Sequence, residues 1–565
     1  MISIYEPSAD GYFWSDFNRF NYTYDPNRPE ENIVSYEFEP NDFAMTEAAA
    51  FQKLSSGIND NSQLSQMSYP VTALECTGMI EMGGMDGRRL DDATIEMKMV
   101  INEDSLKYVN TFLHFNLKLD SLLYNGGAVD YHRRKDFQVI GTVLPEYKHK
   151  GDTISFTYFF RGKDFDNVLP YVADPTPSKV NLEFYAPGGY NYLMPGMGEY
   201  EKADKGRSKF SVTPEIPFHV FRFQGYASGF DTLHQASTLG FPINFIKSKN
   251  VRRSMEGYVA DEIYEPAFVD AFNFMVAKAG PLKSIDQIYV FPEGFTSMPG
   301  LVEVPQVFRG QESFSQIGGF NVFAGHSMAK QWFGYETKPA SYRENWLKYA
   351  AGEYLNMMYL GHQSSVDMYY IHLMIKRDSL FNLQQTNRDR TLAAGDRAGD
   401  AMFTIRGPWL FHMLRYLMYD VETNSESKFN RFFYELAYKV NKEQFTNDDV
   451  VKLAEKYYGE PLDWFFNQFF YGNLCPEFNA EYKIDQKEGA YYISGEIKTD
   501  KAPADFKMPI LMRVAGKDGS QSMHRVMING TNSSFEIGPF TAEPDELVFN
   551  ELYSVLSKDN LKLIK

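Results

Sequence analysis

A chain of 565 residues is too long for one hydrophobic core, so about two to four domains are expected. Hydrophobic residues at 44% and charged ones at 23% are ordinary for a globular protein, and no apolar run approaches the roughly 18 residues that cross a bilayer as a helix. The net charge of −18 is spread through the chain without a basic stripe, which argues against nucleic acid as a partner because nothing is available to displace phosphate counterions.

The start, MISIYEPSADGYF, carries acidic residues early and has no basic segment followed by an apolar one, so no signal peptide is visible. The expectation is a cytoplasmic protein or a processed or excised piece. Residues 1–84 are polar and turn-rich and read as an extended leader, with one short helix at TEAAAFQKL. Cys76 and Cys475 are the only cysteines, too few for a disulfide scaffold or a thiolate metal site, and are expected to be buried small hydrophobes. Aromatic residues make up 16% of the chain, which favours pleated, strand-rich architecture. The alternative use is a stacking surface for sugar or peptide.

Residues 85–215 alternate apolar and polar positions. ATIEMKMVI, TFLHFNLKL, DTISFTYFF and KVNLEFYA each read as strands, which predicts an all-β domain. Over 216–475 the period lengthens, and EPAFVDAFNFMVAKAG, ENWLKYAAGEYLNMMYL, RGPWLFHMLRYLMYDV and DDVVKLAEKYYG predict helices. Alternation returns over 476–565 in AYYISGEIK, KMPILMRVAG, HRVMING and SSFEIGPF, a set of short strands suited to a small sandwich. No internal repeat is evident.

NVFAGHSMAKQWFG, residues 321–334, supports two chemistries. GHSMA is a variant of the nucleophile elbow, with Ser327 as the attacking hydroxyl and Asp367, His372 and His412 as candidate triad partners. That fold needs a doubly wound sheet, which a β-only domain on either side of the helices does not offer. HSMAKQWFG also reads as a zinc-peptidase helix of H-E-x-x-H type with two of its residues replaced. His326 and Lys330 are four apart and share one helix face, where a zincin places two histidine ligands. Ser341 and Glu344 stand in capping-box spacing at the start of a second helix, which carries Tyr349.

HSMAKQWFG, a loop, then WLKYAAGEYL resemble the H-E-x-x-H-Q-W-F-G and W-L-N-E-G-x-x-x-Y-L segments of the aminopeptidase N family, the gluzincin metallopeptidases that include leukotriene hydrolase. TIRGPWLFHML resembles the family's Y-x-K-G segment, and GEPLDWFFNQFFYGNLCPEF its closing elements. The resemblance covers roughly residues 85–565 and implies a multidomain α+β chain: an N-terminal β saddle, a thermolysin-like α-rich middle domain and a C-terminal β sandwich.

It also implies a zinc site held by two histidines and a glutamate, with a second glutamate as general base toward metal-bound water. His326 matches the first histidine. Ser327 stands at the base, Lys330 at the second histidine and Tyr349 at the ligand glutamate. Thr404 aligns with the tyrosine that steadies the tetrahedral intermediate, and Pro299 in TSMPGL with the amine-recognition glutamate. An ammonium has no lone pair to give a metal, and a unit charge about 4 Å from a divalent ion would cost roughly 8 kcal/mol at an effective dielectric of about 20. A serine hydroxyl cannot take the proton that the glutamate would accept. No metal and no catalytic residue are therefore expected, with Lys330 standing where the ion's charge would be and Glu353 as its candidate charge partner.

The leading expectation is a catalytically inactive aminopeptidase-N-like pseudopeptidase that acts in binding or assembly with a protein or peptide partner. The alternatives are a peptidase with a non-standard zinc site and a serine hydrolase using Ser327. Some members of the resembled family are joined to transporter segments, so a place in a membrane complex, outside the cytoplasm or reached through a partner, is expected by analogy. Sequons at Asn21, Asn529 and Asn532 decide nothing about compartment.

Overall fold

The computed structural model describes residues 20–22, 34–36, 69–83, 89–134, 138–163, 167–174, 176–188, 191–193, 201–203, 207–218, 221, 224–226, 230–248, 261–291, 297–303, 319–340, 343–363, 365–386, 389–393 and 400–564. The helix expected at 46–54 and Ser341 of the capping box lie outside them. The chain divides into two compact units. One comprises Met1–Lys348, His362–Ser364 and Tyr438–Thr446, and the other Tyr349–Gly361, Ser365–Ala437 and Asn447–Lys565.

After the antiparallel pair Phe20–Tyr22 and Val34–Tyr36, the first unit continues with β1 (Val71–Gly83), β2 (Arg89–Ile101), β3 (Leu106–Phe112), β4 (Leu117–Tyr124), β5 (Tyr131–Arg134), β6 (Val139–Lys148), β7 (Thr153–Lys163), β8 (Ser178–Pro187) and β9 (Arg207–Val212). A nine-stranded sheet runs in the order Glu201–Ala203, β9, β8, β1, β2, β7, β4 and Gly127–Ala128, with Glu215–Ile216 beside β8. β8 and β1 are parallel and the other neighbours on this path antiparallel, while β3, β6 and β5 form a separate three-stranded sheet. Strand period dictates the core. Ile154, Phe156, Tyr158 and Phe160 alternate along β7 at 1% exposure or less, facing one side as every second residue of a strand must. Each such apolar side chain contributes roughly 1.5–3 kcal/mol by leaving water.

Two readings of the β region need correction. The sheet begins earlier than the alternating texture suggests, because β1 lies within the stretch read as leader and is a central strand. TFLHFNLKL is not one strand but the end of β3, a turn and the start of β4. Leu117 N–H donates to His114 C=O at 2.9 Å and Asn116 N–H to His114 Nδ1 at 3.2 Å, so the histidine organises the turn that alternation alone conceals.

A mixed five-stranded sheet follows, of β10 (Phe230–Thr238), β11 (Phe241–Ser248), β12 (Ile288–Phe291), β13 (Ser297–Met298) and β14 (Leu301–Glu303), in the order β10, β11, β12, β14, β13. These strands fall in the region read as helical. Three of them have two to four residues, too short for a period to register. The helices are α1 (Asp261–Ala279), α2 (Gly319–Ala329), α3 (Asn345–Gln363), α4 (Val366–Gln385), α5 (Asp400–Leu417), α6 (Ser427–Lys442), α7 (Asn447–Tyr458) and α8 (Asp463–Phe469); α1, α2, α3, α5 and α7 stand where helices are expected, and α4, α6 and α8 are additional.

The chain closes in a sandwich of β15 (Glu477–Lys487), β16 (Ala490–Asp500), β17 (Lys507–Gly516), β18 (Gln521–Asn529), β19 (Asn532–Phe540), β20 (Pro544–Phe549) and β21 (Lys558–Leu563). One sheet runs β19, β16, β15, β21 and the other β18, β17, β20. Phe478 of β15 meets Phe549 of β20 edge-on at 5.8 Å, which joins the two inner faces. An N-terminal region of mixed sheets, a helical middle and a strand-rich end is the expected multidomain α+β order. Cys76 and Cys475 are free and buried, and burial pushes both thiols up from their ordinary range.

Candidate functional site

In the first unit the motif occupies α2 and the turn after it. Ala324, Ser327 and Met328 are buried, while His326 and Lys330 are half-buried on one face. At Lys330 the α-helix gives way to a π turn, Lys330–Gly334, the wider local geometry that accommodates an extra residue. Gly334 makes room there: a Cβ on it would lie 3.3 Å from Lys330 Cβ.

The residues after Lys330 root the turn. Gln331, fully buried, accepts from Gly300 N–H through Oε1 at 3.0 Å and donates through Nε2 to Met298 C=O at 3.3 Å. It thereby holds both sides of Pro299, in the tight turn joining β13 to β14, where Gly300 takes φ +71°. Trp332 Nε1 donates to Gly280 C=O at 2.7 Å and the indole packs on Phe272, so burying this polar ring leaves no donor unmet. Glu336 is 1% exposed, and its Oε1 accepts from the N–H groups of Lys283 and Ser284, each at 2.8 Å. Burial raises its carboxyl above the ordinary range, and those two N–H bonds pull the other way.

In the second unit the corresponding residues meet on α3, α4 and α5. The Tyr349 ring stacks on Phe403 at 5.8 Å between centroids. Glu353, one turn further along α3, accepts from Lys376 Nζ of α4 at 2.7 Å, and the same ammonium donates to the Thr404 carbonyl of α5 at 2.8 Å. Gly407, the glycine of TIRGPW, faces Ala350 so closely that a Cβ on it would come within 2.2 Å of the alanine Cβ. Arg406 pairs with Asp389, both 2–3% exposed.

Sequence reasoning singled out His412 but not its use. Tyr369 OH donates to its Nδ1 at 2.6 Å, and its Nε2 donates to the carbonyls of Leu552 and Tyr553, each at 3.0 Å. With carbonyls opposite Nε2 the proton must sit there, so both ring nitrogens are engaged. Burial, with Arg415 as a second cause, lowers its pKa to about 3. Asp367 is exposed in the first turn of α4, and His372 is half-buried further along the same helix. Gln331 and Gly407 lie within the QWFG and TIRGPW segments that carry the resemblance, although their bonds and close approach are not legible there. Lys376 lies in no such segment, and the signal that bears on it is a proline four residues after Thr404 inside an apolar helix.

At the positions matched to zinc ligands the side chains are an imidazole, an ammonium and a ring-stacked phenol. Among the described residues no group of three or more His, Cys, Asp or Glu is placed to hold a metal ion.

No protein-family profile and no curated protein sequence matches the chain. Solved structures do match. Aminopeptidase A of Legionella pneumophila, crystallised with aspartic acid, superposes with a TM-score of 0.66 at 12% identity, over 88% of this chain and 60% of that one. An M1 zinc metallopeptidase of Deinococcus radiodurans gives 0.52 at 14% identity, over 69% and 91%. A mutant of that enzyme bound to a Tyr-Ser-Ala substrate gives 0.51 at 14%, over 69% and 92%. This chain thus spans about three fifths of the Legionella one. The order of sheets, helices and closing strands is the fold of these aminopeptidase and M1 zinc metallopeptidase structures.

Proposed function

We propose that the chain is a catalytically silent form of this fold, a pseudopeptidase used for binding or assembly, with a protein or peptide as its partner. One observation supports the reading: on a helix anchored by Gln331 and Trp332, Lys330 occupies the position that the resemblance matches to a histidine ligand. A protonated lysine gives no electron pair to a metal and repels it, so imidazole, ammonium and phenol do not fit zinc. Ser327 supplies no base, Thr404 no phenol for an oxyanion, and Pro299 no carboxylate for a substrate amine. In this reading Lys330 takes over the ion's charge, with Glu353 as its counter-charge.

The rival hydrolase needs its serine exposed on a sharp strand-to-helix turn. Ser327 instead lies inside α2, which starts at Gly319, and is 2% exposed, and His412 spends both ring nitrogens on internal partners. Labelling of Ser327 by a fluorophosphonate probe would reinstate that rival. Membrane association through a partner belongs to the same proposal, by analogy alone. Among the described residues no helix is long and apolar enough to cross a bilayer.

Zinc content and aminoacyl-anilide hydrolysis, measured on full-length protein purified with zinc present, test the main reading. Well under one zinc per chain and no turnover are expected. One zinc per chain together with turnover overturns it.

A further inference from the structure

We propose that Lys376 is a clip that supplies, from a neighbouring helix, the hydrogen bond that Pro408 denies to α5, and so fixes α3, α4 and α5 to one another. Pro408 lies inside α5 and has no N–H. The carbonyl that would have received that N–H belongs to the residue four earlier, Thr404. Proline also pushes this carbonyl outward, because its ring crowds the oxygen four residues back. Lys376 Nζ donates to that same oxygen at 2.8 Å and to Glu353 Oε1 at 2.7 Å, from a side chain only 13% exposed against a carboxylate 15% exposed.

One ammonium therefore joins three helices. It brings a charge-assisted bond to α3 and an interhelical bond to the turn of α5 that precedes Pro408. The surroundings are built for close approach. Gly407, adjacent to the proline, admits Ala350 of α3, and the Tyr349 and Phe403 rings stack beside it. In a metalloprotein a bound ion ties such elements together. Here a lysine does so with residues of the chain alone. This inference stands on the geometry of the second unit and does not use the proposed function, and zinc content is not a readout of it.

Coupling between Lys376 and Pro408 is the test, since a merely well-packed lysine would show none. K376M in the full chain is expected to lower the thermal midpoint by roughly 5 °C and to speed amide exchange within 400–417 by about tenfold. P408A returns an N–H to the Thr404 carbonyl. In that background the loss from K376M is expected to fall by about half, because α5 then supplies its own N–H to the Thr404 carbonyl. E353Q keeps the lysine and weakens its orientation. Its exchange rates provide the same comparison if K376M does not purify folded, with faster exchange at 400–408 expected beside Pro408 and little change beside an alanine. An equal loss from K376M with and without P408A, no loss at all, or equal exchange for E353Q in both backgrounds overturns the clip.

Discussion

The motif turn of the first unit and the three-helix cluster of the second make an instructive pair, because each mixes residues that hold the chain together with residues that only the sequence resemblance matches to a metal site. In the first, Gln331, Trp332 and Glu336 each satisfy named backbone groups from a buried position. In the second, Gly407, Lys376 and His412 do the equivalent through close approach, an ion pair and a buried imidazole. Of the positions matched by resemblance to zinc chemistry, His326 keeps its imidazole, and Ser327 and Lys330 in the first and Tyr349 and Thr404 in the second are side chains of other kinds. Structural demands and chemical demands on one motif are thus separable, residue by residue.

The largest effects should come from the anchoring class, alike in both regions. Trp332→Ala empties a fully buried site and removes the bond to Gly280, and a loss of about 3–5 kcal/mol is expected in urea unfolding. A loss under 1 kcal/mol would break the comparison on the first side. Gly407→Ala forces α3 and α5 apart and should cost about 1–3 kcal/mol by the same measurement. Unchanged stability would mean that the close approach carries no weight.

Next in size is a pH effect confined to the second region. His412 is held neutral in the fold, with its pKa lowered to about 3, whereas the unfolded chain takes up a proton below about 6.5. The stability it contributes is complete above the unfolded value and is lost as pH falls toward the folded one. Between pH 7 and 5 the loss should be about 2 kcal/mol, and His412→Gln should remove that part of the slope. A slope unaltered by the substitution would show that other groups set it. The smallest effect sharpens the contrast from the chemical side. Tyr349→Phe keeps the ring stacked on Phe403 and should change stability by no more than about 0.5 kcal/mol, whereas a ligand position filled by a true donor would answer with lost metal.

How far the sequence discloses this depends on range. Alternation along β7 and the 3.6-residue period of α3 and α5 are local signals, and they place the strands and helices correctly. The fold class followed from Gln331 to Gly334 and Trp346, whose spacing survives although the ligands differ. What stayed hidden is long-range. Gln331 meets Gly300 and Met298 from 31 and 33 residues away, Lys376 meets Glu353 and Thr404 on two other helices, and His412 reaches carbonyls at 552 and 553. No periodicity encodes such partners. Three strands of the five-stranded sheet have only two to four residues, too short for an alternation to register, although β10 and β11 are longer.

The π turn at Lys330–Gly334 has a bearing on redesign. Each residue of an ordinary helix advances the side chain by about 100°, so a locally widened turn resets the angular phase of everything beyond it. Trp332 and Phe333 are seated in that reset phase, and His326 in the phase before it. Installing an imidazole at 330 would thus change identity at the seam between the two phases. Reconstituting a metal-binding pair would take an adjustment of helical register as well as a new donor.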